Sequence, residues 1–285
     1  MAYSQYQDLA RECESLIALD RVEFAQTLKK LNPGSGACFI KLGSGYAVFT
    51  GVNSPLTKAA AIGFDDNFDP EQITEFEKFC SVNNCPAVIE VSQLAGLDLT
   101  KELVKRGFVI SEYTNALVLK IESGLVHNEK SLDDIKIVGD DDLDDYIRTT
   151  TDGFLNFNAK TDVPDEKMQL FRQESDIISQ VFYHQPNSVC FIAVYENQPA
   201  GSAAFFTYKD SSLFLGTTTL PAYRLRGIQT NLIKKRINYA GSKNISSVYS
   251  ITYPGSLSQH NLEKAGFRVL CGRVTFRKEL QQLDR

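Results

Sequence analysis

Residues 215–240 read LGTTTLPAYRLRGIQTNLIKKRINYA. A Thr-rich strand runs into a Pro-containing bend, then a tight basic loop with one glycine, then an amphipathic helix beginning near Ile228. This order makes a phosphate cradle: N–H groups left free in the first helical turn, backed by the positive end of the dipole, point at whatever occupies the loop. Gly227 lets the backbone come close, and Arg224 and Arg226 add positive charge. Further along the helix, Ile228, Leu232, Ile233 and Ile237 form the expected buried face, and Lys234-Lys235-Arg236 is expected on the wet face.

The rest of the chain makes any such basic site a local one. The net charge is −5, which gives no general attraction to nucleic acid or an anionic membrane. A hydrophobic fraction of 43% over 285 residues supports one large core or two of ordinary size. No stretch approaches the ~18 apolar residues of a membrane span, and the start of the chain carries acids instead of a signal-peptide core. The six cysteines, Cys13, Cys38, Cys80, Cys85, Cys190 and Cys271, form no C-x-x-C pair, and with three histidines there is no metal spacing. They read as buried apolar residues of a reducing compartment, so a cytoplasmic location is expected and no metal site.

Apolar periodicity and turn signals predict a helix over 3–31, strands at 37–42, 46–50 and 58–63, a helix over 71–80, a strand at 87–91, a helix over 99–106 and two strands within 108–121. The polar stretch 122–134 reads as a linker. Beyond it come a strand at 135–138, a helix through about 154, a polar loop at 156–166 and a helix centred on 177–183. Three hairpin strands within 189–219 follow, then the basic loop and its helix, a strand at 246–252, a helix over 257–265 and two final strands, 267–270 and 274–278. The halves repeat: Cys38-Phe39-Ile40 returns as Cys190-Phe191-Ile192, Ala47 to Thr50 as Ala204 to Thr207, and Leu103 to Phe108 as Leu262 to Phe267, at offsets of 152, 157 and 159 residues. The expectation is an α+β protein of two like domains, 1–125 and 130–285, each a mixed, mostly antiparallel sheet flanked by helices. Shifted back by the last offset, the basic loop falls on Asp65-Asp66-Asn67-Phe68-Asp69-Pro70, whose charges have the wrong sign for a phosphate. Only the second copy is expected to bind one.

Arg224-Leu225-Arg226-Gly227-Ile228-Gln229, with Pro221-Ala222-Tyr223 before it, resembles the acyl-CoA loop of the GNAT superfamily of N-acetyltransferases. Gln229 stands where the family usually has Gly or Ala. Gly255 to Phe267, ending Leu262-Glu263-Lys264-Ala265-Gly266-Phe267, resembles the helix that closes over the coenzyme, in the branch with a serine, here Ser258, near the cofactor. Many members carry a tyrosine acid where this chain has Leu262. The resemblance, from about 135 to 280, implies a tandem arrangement with a degenerate first copy. It implies acetyl-CoA as cofactor and acetyl transfer to a small-molecule or peptide amine by direct attack on the thioester. Arg224, Leu225, Arg226, Gly227, Ile228, Gln229 and Thr230 would hold the pyrophosphate, Thr217 and Leu220 the pantetheine arm, and Ser258 with Asn261 its far side. Thr219 would offer a backbone N–H to the developing oxyanion, and Tyr253 or Tyr249 a proton to the thiolate. The same residues carry other readings: a solvated turn for the arginines, a helix start for Ser258, core packing for Tyr249 and Tyr253, inert core for Cys190. A catalytically silent coenzyme-binding module is the alternative function. Contact of the basic loop with nucleic acid is disfavoured by the acidic balance and the lack of interleaved aromatics.

Overall fold

The computed structural model describes residues 3–64, 68–121, 134–158 and 164–279. The linker residues 122–133, the acidic positions 65–67 and residues 159–163 of the polar loop lie outside the described residues. The chain forms two compact units, the first made of Met1–Leu117, Ile251–Ser256 and Val269–Arg285, the second of Val118–Ser250 and Leu257–Arg268. A single cut at 125–130 therefore does not separate them: the chain's last strand is a member of the first unit.

In the first unit, helix α1 (Tyr3–Leu31) buries Leu9, Cys13, Leu16, Ile17, Phe24 and Leu28, the stripe that its apolar spacing demands. Strands β1 (Cys38–Leu42), β2 (Gly45–Phe49) and β3 (Lys58–Ala60) follow, then helix α2 (Glu71–Val82), β4 (Ala87–Ser92), helix α3 (Leu97–Lys105) and β5 (Val109–Lys120). The second unit holds β6 (Ile135–Ile137), helices α4 (Leu143–Asn158) and α5 (Asp165–His184), and strands β7 (Ser188–Tyr195), β8 (Gln198–Tyr208) and β9 (Ser211–Thr219). Helix α6 (Ile228–Ser242), β10 (Ser247–Thr252), helix α7 (Leu257–Lys264) and β11 (Arg268–Lys278) complete the chain. Three strands, helix, strand, helix, strand is the order from β1 to β5 and again from β7 to β11, so the repeated tripeptides mark a repeated fold. β5 and β10 give residues to both units.

The strand order is β1-β2-β3-β4-β11-β5 in the first unit and β10-β9-β8-β7-β6 in the second. β1 with β2, β2 with β3, β4 with β11, and β6 to β9 in succession pair antiparallel, while β3 beside β4 and β9 beside β10 are parallel. Two expectations are corrected. The pairs of strands expected within 108–121 and 267–278 are each one continuous strand, β5 and β11. The polar residues and glycine that suggest turns are absorbed by pairing: Ser111 Oγ donates to the Thr275 carbonyl, and Gly272 exchanges bonds with the Gln93 backbone and side chain. Helix α5 begins at Asp165, so the polar loop is shorter than the sequence suggests.

Candidate functional site

The site is built in the second unit from the end of β9, the loop 220–227 and the first turn of α6. β9 is paired with β8 along its length, but its parallel ladder with β10 covers only Ser211–Phe214 against Ser247–Ser250. From Leu215 to Thr219 that edge is open, and its backbone groups are left to water or a ligand. The opening starts at a bulge: Phe205 faces Phe214 and Ala203 faces Thr217, so Leu215 and Gly216 stand opposite Ala204 alone. Phe154 of α4 closes over Gly216, where a Cβ would lie 3.1 Å from its ring, and Gly153 packs against Thr218 so tightly that a Cβ there would collide with the Thr218 side chain.

Arg236 holds the bulge from beneath. This residue, expected on the wet face, is 1% exposed, which is a correction to the sequence reading. Its Nη1 donates to the carbonyls of Ala204 (3.2 Å) and Leu215 (3.4 Å), its Nε to that of Leu232, and its guanidinium lies 3.9 Å from the centre of the Phe214 ring. Burial lowers its pKa, and the neighbouring Tyr146 acts the other way. The signal was present in the sequence: 228, 232, 236 and 240 lie on one helical face, and Ile228, Leu232 and Ala240 are buried with it. The expected core positions Ile233 and Ile237 are buried too.

Leu220 N–H donates to the Ala200 carbonyl, and Pro221–Tyr223 make one turn of 3-10 helix. Leu225 then takes a left-handed conformation (φ 64°) with its side chain fully in solvent, and Gly227 another (φ 79°). A side chain at Leu225 costs about 1–2 kcal/mol in that region. No heavy atom lies within 4 Å of a Cβ built on Gly227, so the glycine serves its φ angle and leaves space in front of the helix. The first helical bond runs from Asn231 N–H to the Gly227 carbonyl, and no side chain caps the N-terminus. The N–H groups of Ile228, Gln229 and Thr230 thus have no acceptor within the helix. The corresponding helix of the first unit is closed: Asp69 Oδ1 accepts the Glu71 N–H at 2.9 Å, and Arg106 donates to the Pro70 carbonyl at 3.2 Å. A carboxylate of the chain sits where an outside anion would bind.

Around the cradle, Arg224 is exposed, while Arg226 donates to Tyr195 Oη at 2.9 Å. Gln229, the departure from the family pattern, turns toward α7 and accepts from Asn261 Nδ2 at 2.8 Å, which leaves the loop uncrowded. Ser258 is half-buried in the first turn of α7. Thr217 Oγ1 donates to the Leu215 carbonyl, whereas Thr219 Oγ1 is enclosed with no hydrogen-bond partner among the described residues. Tyr249 is fully buried on β10. Tyr253 belongs to the first unit, where its hydroxyl donates to Glu112 Oε1, and that bond, with burial, pushes its pKa up to about 12. Cys190 is buried and its thiol pushed up to about 12 by desolvation. Tyr195 and Arg236 are the site residues that the sequence reading did not select.

Residues 155–267 match the sequence model described as Acetyltransferase (GNAT) family. No curated protein matches the chain. Among solved structures, a GCN5-related N-acetyltransferase from Kribbella flavida is similar at 14% identity and TM-score 0.61, over 91% of this chain and 96% of that one. A functionally unknown conserved protein from Staphylococcus epidermidis ATCC 12228 gives 14%, 0.58, 89% and 98%. A tandem GNAT protein from the clavulanic acid biosynthesis pathway gives 10%, 0.56, 84% and 79%. No described helix is long and apolar enough to cross a membrane. The segment that carries the cradle is thus similar to the GNAT acetyltransferase family, and the chain as a whole has a fold similar to those of a GCN5-related N-acetyltransferase and a tandem GNAT protein.

Proposed function

We propose that the second unit binds acetyl-CoA and transfers its acetyl group to the amine of a small molecule or peptide. The observation that carries this reading is the uncapped N-terminus of α6 behind left-handed Gly227, beside a β9 edge that has lost its ladder. Acetyl-CoA supplies an activated thioester carbonyl. The N–H groups of Ile228, Gln229 and Thr230, with the helix dipole and Arg224, hold the pyrophosphate. Leu215 to Thr219 offer N–H and C=O groups at strand spacing to the amides of the pantetheine arm, as an added strand would use them. Thr219 donates its backbone N–H where negative charge develops, an interaction worth on the order of 3 kcal/mol. Arg236 keeps the two bulge carbonyls turned inward, so the strand beyond presents its other edge. Asn261, steadied by Gln229, borders the arm on the α7 side. The acidic plug at α2 restricts binding to one site per chain.

A calorimetric titration with acetyl-CoA tests the reading. One site of micromolar affinity is expected, lost in Gly227→Glu, which adds a carboxylate in front of the helix; two sites, or none, overturn it. Release of free thiol in an amine screen then tests transfer. A silent coenzyme-binding module is the second reading, favoured by the burial of Leu262 and Tyr249, which leaves no phenol of the second unit's β10–α7 region in the open. Binding without thiol release across primary amines, polyamines and lysine peptides would establish it.

A further inference from the structure

Three flat groups meet beside the cradle. Strand β7 ends at Tyr195, opposite Gln198, and the turn between them holds Glu196 and Asn197 at φ 49° and 62°. Two left-handed residues in a two-residue hairpin turn match the twist of the strands, so Tyr195 is presented from a stiff support. The Arg226 guanidinium lies 4.9 Å from the Tyr195 ring centre while its Nη1 donates to the hydroxyl. The Tyr223 ring stands 5.9 Å from that of Tyr195, tilted by 52°. Both tyrosines are half-buried and Arg226 is exposed. In this arrangement the arginine faces the Tyr195 ring. It offers a flat, cationic face next to the phosphate cradle, and the exposed pairing contributes little to stability by itself.

We propose that Tyr195, Arg226 and Tyr223 form a platform for the purine ring of the nucleotide whose phosphates sit at the start of α6. Guanidinium planes and phenol rings both stack on bases, and they do so without reading the base edge. The work is divided between the two arginines: Arg224 serves the pyrophosphate, and Arg226 serves the base. The inference rests on the acetyl-CoA reading for the identity of the nucleotide and its base, because stacking by itself does not name the base.

The test is calorimetric, with 3′,5′-ADP, acetyl-CoA and acetyl-4′-phosphopantetheine as probes of the full-length protein. Tyr195→Ala should weaken acetyl-CoA and 3′,5′-ADP roughly tenfold and leave acetyl-4′-phosphopantetheine, which has no purine, within about twofold. Tyr195→Phe keeps the ring and should stay within about threefold for every probe. Equal weakening of both acetyl compounds by Tyr195→Ala would mean that the tyrosine only shapes the loop, and no weakening would mean that it touches nothing; either overturns the platform. If wild type takes 3′,5′-ADP but neither acetyl compound, the platform stands and acetyl transfer falls. Binding of none of the three overturns both.

Discussion

Leu225 and Gly227 adopt the same left-handed backbone, yet only one of them is a glycine. The leucine side chain touches nothing, so any account from contacts alone makes its replacement neutral. The backbone argues otherwise: Leu225→Gly should remove strain and, after the larger entropy of an unfolded glycine is subtracted, raise stability by about 0.5–1 kcal/mol. Denaturant midpoints with unchanged slope would measure it. An unchanged or lower midpoint would show that leucine is comfortable there.

At the scale of elements, the first unit is knit by charges that α1, β3, β4 and β11 bring into its interior. Arg273 of β11 bonds both Glu14 and Glu90, at 2.5 and 2.9 Å, and Arg21 and Lys58 reach Glu90 at 2.7 and 3.1 Å. Burial opposes ionisation of Glu90, but Arg21, Arg273 and Lys58 together hold its carboxyl well below the usual range. The unfolded chain therefore binds the proton first as pH falls. Stability from this group is complete above the unfolded value of about 4.3 and is lost as pH drops through the lower folded one. Glu90→Gln should cost about 3–5 kcal/mol at pH 7, by leaving buried cations short of a partner, and should flatten the fall in unfolding midpoint below about pH 4.5. A variant whose acid limb parallels that of wild type would assign acid unfolding to other groups. The second unit treats its buried cation differently: Arg236 is answered by carbonyls of the β9 bulge and by an aromatic ring, so its placement serves the geometry of one strand.

For the whole molecule, β11 is the decisive strand. It pairs with β4 over Ala87 to Ser92 and carries Arg273 to the acids of the first unit, although it is the last strand in the chain. The fragment 1–125, a self-contained copy by its sequence, should fail to fold alone: β4 would become an edge, and Glu14 would lose Arg273, its cationic partner among the described residues. Far-UV and near-UV circular dichroism of the fragment checks this, and a cooperative unfolding transition would refute it. Much was legible without coordinates. The tandem order of elements, the buried face of α6 and the strand-loop-helix cradle all follow from periodicity and turn chemistry, which act between residues a few positions apart. The acid at Asp69, which the sequence sets against an anion at the start of α2, is found accepting the Glu71 N–H there. Tertiary structure alone decided that Tyr195 meets Arg226 across 31 residues and that the final strand completes the first unit. In each case the deciding partner is distant in sequence, and local pattern records how a segment folds without recording what is packed against it.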